Sequence, residues 1–151
     1  MQDLRLTLKE IYPHPVESVW QALTDPAAMA EWLMPCDFRP IAGHQFFIRG
    51  TATNNWRGST ECVVVLVEPP RRMEWQWASA DIPEPTCVRF ELEPVDGGTQ
   101  LTLSHKGMTT QADIESLSQG WPVKLKQLRV CLANSNRLLW ETDYDWIQQN
   151  L

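Results

Sequence analysis

Hydrophobic and polar positions change period along this chain, and the changes lay out its elements. Leu4, Leu6 and Leu8 alternate with Arg5, Thr7 and Lys9, which predicts a strand with one covered face. Beyond Tyr12-Pro13-His14-Pro15 the spacing turns helical. Val16, Val19, Trp20 and Leu23 share a stripe, and Pro15 suits the first turn of that helix. Asp25-Pro26 has the cap-plus-proline form that opens a second short helix, carrying Met29, Trp32 and Leu33 and stopping before Pro35.

Period two then returns. Phe38 begins a short strand, and Phe46 and Ile48 share one face of the next, which runs from His44 to Arg49. Thr51 to Gly58 is a polar loop carrying Trp56. The apolar run Cys62 to Val67 reverses at Glu68-Pro69-Pro70-Arg71-Arg72, where two prolines end the strand and supply no ladder donors. The returning strand alternates strictly, with Met73, Trp75 and Trp77 on one face and Glu74 and Gln76 on the other. Val88, Phe90 and Leu92 alternate with Arg89, Glu91 and Glu93. Asp96-Gly97-Gly98 is a hairpin turn, and Leu101, Leu103 and His105 share the next covered face. Successive one-sided strands predict an antiparallel sheet with one face covered and one wet.

The cover comes last. Trp121, Leu125, Leu128 and Leu132 recur at intervals of four, three and four, the stripe of an amphipathic helix. Pro122 sets the expected start at Ser118, because first-turn amides have no helical partner to lose. Asn134-Ser135-Asn136 then interrupts the pattern. Arg137 to Leu151 carries a second stripe of Trp140, Tyr144, Ile147 and Leu151. The expected organisation is one domain over residues 1–132 and a helical extension over residues 133–151. The apolar stripe of that extension suits either docking onto the domain or a homodimer interface.

Composition narrows the function classes. A chain of 151 residues, 43% hydrophobic and 21% charged, is a single globular domain; at this size roughly 70% of the extended-chain surface is buried. A net charge of −6, with no basic run longer than Arg71-Arg72, argues against nucleic acid as partner. No apolar run approaches a membrane span. The N-terminal residues lack the apolar core of a signal peptide, which favours the cytoplasm and reduced thiols. Cys36, Cys62, Cys87 and Cys131 stand singly, without zinc or redox spacing, and the last three read as buried small hydrophobes.

Five stretches resemble a known family in order and spacing: VESVWQALTDPAAMAEWLMP, DFRPIAGHQFFIRG, CVVVLVEPPRRMEWQW, VRFELEPVDGGTQLTLSHKGM and GWPVKLKQLRVCL. Together they cover residues near 5 to 132. They resemble the activator-of-heat-shock-protein-90-ATPase-like branch of the START and birch-pollen-allergen superfamily. The resemblance implies an α+β helix-grip fold: a curved antiparallel sheet around a long C-terminal helix, two short helices after the first strand, and a cavity between sheet and helix. It implies no shared catalytic residues and no cofactor. Members bind lipids, hormones or polyketides, a few are cyclases or hydrolases, and some engage a chaperone. Ala42 in place of a common glycine, Pro122 near the helix entry and the long tail depart from the family's pattern.

Facing arguments place Phe46, Ile48, Trp75, Trp77, Phe90, Leu101, Leu103, His105, Trp121, Leu125 and Leu128 toward that cavity. Wide rings converging from sheet and helix pack with gaps and offer flat faces to a planar ligand. His105 is the polar candidate, able to hold a ligand hydroxyl or carbonyl or to act as a base. No nucleophile elbow, paired carboxylates, phosphate loop or metal spacing accompanies it. The favoured reading is a binder of a small apolar or aromatic molecule. A chaperone- or regulator-binding module comes second, and a cyclase-type enzyme using His105 third.

Overall fold

The computed structural model describes the backbone of residues 1–148 and the side chains of residues 1–134. In chain order the elements are β1 (Gln2–Tyr12), α1 (Val16–Thr24), α2 (Pro26–Trp32), β2 (Gln45–Arg49), β3 (Ser59–Glu68), β4 (Arg72–Ala78), β5 (Thr86–Val95), β6 (Gly98–Thr109) and α3 (Gln111–Gln148). The strands form one antiparallel sheet in the order β1-β6-β5-β4-β3-β2. Its apolar face wraps α3, which is the α+β helix-grip arrangement. Register follows the alternation in the sequence: Trp75 lies between Val64 and Val88, and Phe90 opposite Leu103, so the large apolar groups stack on one face.

The turns are locally encoded. Gly97 sits at φ +81° in the β5–β6 hairpin, a conformation that side chains with a Cβ avoid. The Asp25 carboxylate accepts a hydrogen bond from the Ala28 amide at 3.2 Å and caps α2. Trp32 fills the seam between the short helices, and its indole N–H donates to the Ala22 carbonyl at 2.8 Å. One edge of the sheet is tied to the helix. The Tyr12 hydroxyl donates to the Leu125 carbonyl at 2.9 Å, while Arg129 lies over the Tyr12 ring and pairs with Glu10 at 3.0 Å.

Several expectations need correction. Helix α3 begins at Gln111 rather than Ser118, because Thr110 is the cap: its carbonyl accepts from Ile114 and its hydroxyl from the Asp113 amide. Pro122 therefore lies inside the helix, on its exposed side, where water can serve the Ser118 carbonyl. No break occurs at Asn134-Ser135-Asn136; the helix runs on to Gln148. The side chains of Trp140, Tyr144, Ile147 and Leu151 lie outside the described residues. Pro15 is the cap of α1 rather than a first-turn residue. Phe38 belongs to no strand; it is buried from the loop after α2, against Phe46 and Trp75. Cys87 is half-buried beside Glu74, on the face opposite Val88 and Phe90, whereas Cys62 and Cys131 are buried. Among the described residues no helix is long and apolar enough to cross a membrane.

Candidate functional site

Between α3 and one end of the sheet lies a cavity of about 150 Å³. Leu33 and Met34 reach it from the end of α2, Ile48 from β2, Thr60 from β3, and Trp77 and Ser79 from the end of β4. Trp56 comes from the loop between β2 and β3. Helix α3 supplies Asp113, Ser116, Leu117, Gly120, Trp121 and Lys124, residues three and four apart that form one continuous stripe. The inner wall is buried. Met34, Trp56, Ser116, Gly120 and Lys124 are half-buried and form the rim.

Three indoles frame this space, and each has its N–H engaged by the protein. Trp56 donates to the Thr60 hydroxyl at 3.0 Å, Trp77 to the Ser79 hydroxyl at 3.0 Å, and Trp121 to His105 Nδ1 at 2.9 Å. With their polar edges satisfied, the rings have flat apolar surface left for the cavity. Trp77 and Trp121 lie 5.3 Å apart at a 48° tilt.

Behind Trp77 sits a polar relay. Ser79 donates onward to Asp113 Oδ1 at 2.5 Å, and Thr109 donates to Asp113 Oδ2 at 2.7 Å. Asp113 is only 3% exposed. Its position in the first turn of α3 places the carboxylate near the positive end of the helix dipole.

His105 stands behind the wall, fully buried. The Thr86 hydroxyl donates to the Trp77 carbonyl at 3.1 Å, so it accepts from His105 Nε2–H at 2.7 Å; Nδ1 accepts from Trp121. Those bonds define the neutral Nε2–H tautomer. Burial pushes its pKa down to about 3, and both nitrogens are used within the protein. His105, expected as a base or a ligand contact, thus stands outside the cavity lining and holds the Trp121 indole N–H from behind.

Of the residues expected to face the groove, Ile48, Trp77 and Trp121 line the cavity. Phe46, Trp75, Phe90, Leu101, Leu103, Leu125 and Leu128 are buried with them but fill the adjoining core, where Trp75 meets Phe46 at 5.1 Å and Phe90 at 4.7 Å. Sequence reasoning missed Trp56, Ser79, Asp113 and the α3 rim. The signal for Asp113 was present: Thr110-Gln-Ala-Asp113 is the capping-box spacing before an apolar run. Trp56 had no periodic signal, because a loop has none.

The mouth is shaped by Gly120 and Lys124. A Cβ at Gly120 would meet nothing within 4 Å. Lys124 has no ion-pair partner among the described residues, and burial lowers its pKa. Outside the rim, Thr53, Asn54 and Asn55 face Gln119 and Val123 across a shallow groove that shares Ser116, Gly120 and Lys124 with the cavity. The loop is packed down at its base: a Cβ on Gly50 would press on Met34 Sδ at 2.8 Å and on the Trp56 ring at 3.1 Å. Among the described residues no group of three His, Cys, Asp or Glu side chains could hold a metal ion.

The sequence matches the family described as Activator of Hsp90 ATPase homolog 1-like protein over residues 13–133. Among curated proteins none matches. Among solved structures, a Mesorhizobium loti protein is 29% identical with a TM-score of 0.73, covering 86% of this chain and 97% of that one. A Rhodobacter sphaeroides protein is 26% identical with a TM-score of 0.69, covering 87% and 93%. DynU16, a protein of the dynemicin biosynthetic locus, shares the fold at 22% identity and a TM-score of 0.71, covering 89% of this chain and 48% of its own.

Proposed function

The chain belongs to the Activator of Hsp90 ATPase homolog 1-like protein family, and from that premise we propose that it binds a small aromatic molecule in the cavity between α3 and the sheet. The observation that carries this reading is the frame of three indoles whose N–H groups are all engaged by the protein, beside an opening at Gly120 where an added Cβ would meet nothing within 4 Å. An apolar space of this kind, with a few polar groups at its ends, is the usual form of a ligand site. Its volume sets the scale. An engineered apolar cavity of about 150 Å³ takes up benzene, whereas sites for drug-sized ligands run to about 300–1,000 Å³. One ring with short substituents fits.

Binding is read by tryptophan emission and by melting temperature against a panel of single-ring arenes. A ligand at a hundredfold excess over its Kd stabilises the fold by about 2.7 kcal/mol, which raises Tm by several degrees. Gly120→Leu supplies the control: its Cβ meets nothing within 4 Å, so the substitution narrows the mouth from the helix side and binding should be lost, with far-UV circular dichroism to confirm that the fold persists. A wild-type protein whose emission and Tm ignore the whole panel would end this reading. The module that engages a chaperone would then lead, tested by titration with the chaperone itself.

A further inference from the structure

We infer that the ligand is an arene carrying a hydrogen-bond donor on the ring and a carboxylate on a short side chain, bound with the donor at Asp113 and the carboxylate at Lys124. This rests on the binding function proposed above and adds the ligand's chemistry and its orientation.

The two ends of the cavity carry opposite charges, and neither is neutralised by the protein. Asp113 lines the inner end, is 3% exposed and receives hydrogen bonds from two neutral hydroxyls, Ser79 and Thr109. Neither it nor Lys124 has an ion-pair partner among the described residues. A carboxylate offers about four lone-pair positions. Ser79 and Thr109 occupy one on each oxygen, which leaves acceptor capacity at the cavity wall. A hydrogen bond to a buried charged acceptor is the strong kind, and a ligand lacking the donor loses it in full. A phenol hydroxyl or ring amine meets that requirement; a carboxylate directed at Asp113 would be repelled.

Lys124 stands at the rim, half-buried, where an ammonium without a counter-ion is costly. It shares the α3 stripe with Asp113, because eleven residues bring a helix almost to whole turns. Their Cα atoms lie about 16 Å apart along the axis, and the long lysine stem leans toward the helix N-terminus and shortens the gap. One ring with a two- or three-carbon acid side chain spans what remains. The ring then lies against the surface that Trp77 and Trp121, themselves in contact at 5.3 Å, present to the cavity.

Calorimetric titration of the full chain with para-hydroxyphenylpropanoate, phenylpropanoate and para-propylphenol tests this. The hydroxy acid should bind about tenfold or more tightly than either analogue, as expected for one hydrogen bond or ion pair to a charged group. Lys124→Met should remove the advantage of the acid over para-propylphenol, so that the two bind alike. Asp113→Asn should remove the advantage of the hydroxyl; should that variant fold poorly, the three-ligand comparison on the wild-type protein decides alone. Equal binding of all three compounds overturns the inference while leaving an aromatic site intact. Failure of all three, together with the wider arene panel, overturns the binding function itself.

Discussion

Trp75 and Trp77 lie two residues apart on the same face of β4, yet one is core and the other is cavity wall. Trp75 is paired across the sheet with Val64 and Val88 and is met by Phe38, Phe46 and Phe90 within 5.6 Å. Trp77 is paired with the smaller Cys62 and Thr86, and among the described residues only Trp121 and His105 have ring contacts with it. The difference lies in neighbours delivered by other elements, above all Phe38 from a loop and the starting point of α3. A closed core and an open site can therefore follow one another along a single strand with no change in its own pattern.

The largest expected effect tests that contrast directly. Trp75→Ala should destabilise the domain by about 3–5 kcal/mol, as removal of a fully enclosed ring does. Trp77→Ala should cost at least about 1 kcal/mol less, because that ring already borders open space and forfeits fewer contacts. Denaturant unfolding of both variants measures the difference. Equal losses would mean that the cavity behaves as filled core, and the comparison between the two tryptophans would collapse.

His105 marks the boundary between the two regions and gives a pH-dependent signature. Its pKa is about 3 in the folded protein against an ordinary 6.5, with burial as the cause. Between those values the unfolded chain holds a proton that the folded chain refuses. The contribution is fully present above pH 6.5 and is lost as the pH falls toward 3, with a slope approaching about 1.4 kcal/mol per pH unit. His14 acts in the same sense, since burial lowers its pKa too. Unfolding curves between pH 7 and pH 5 should show a shallower pH dependence for His105→Gln than for the wild type. Equal slopes would place a charged or wet imidazole at this position and loosen the Trp121 wall.

What the sequence made legible follows from periodicity. The alternations around Trp75, Phe90 and Leu103 and the stripe through Leu125 and Leu128 are enough to set sheet against helix, and they identify the inward face. They do not separate a filled volume from an empty one, because that depends on side chains arriving from elsewhere. Phe38 and Trp56 act from loops, where no period reveals facing. Pro122 misled about the start of α3, since proline is disfavoured within helices, and that displaced start removed Asp113 from consideration. At Asn134-Ser135-Asn136 low helix propensity suggested a break, yet propensity is a weak prior and the helix continues. His105 was legible as an inward polar residue; its two side-chain partners, Thr86 and Trp121, come from separate elements.

The smallest expected effect sits at the rim and couples stability to binding. Gly120 occupies the interior of α3, where glycine costs about 1 kcal/mol relative to alanine through the freedom it gains on unfolding. A Cβ there meets nothing within 4 Å, so Gly120→Ala carries no steric cost against that gain. The variant should be more stable by about 0.5–1 kcal/mol, read as a rise of a few degrees in Tm. The same methyl group enters the mouth shared with Lys124, so arene affinity should fall, and fall further in Gly120→Leu. A more stable protein that binds less is the pattern expected where a residue is kept for access at the expense of helix strength. A stabilised Gly120→Ala whose affinity is unchanged would move the entrance away from α3, toward Trp56 and Met34. A destabilised one would mean that the helix at Gly120 and Pro122 depends on the glycine itself.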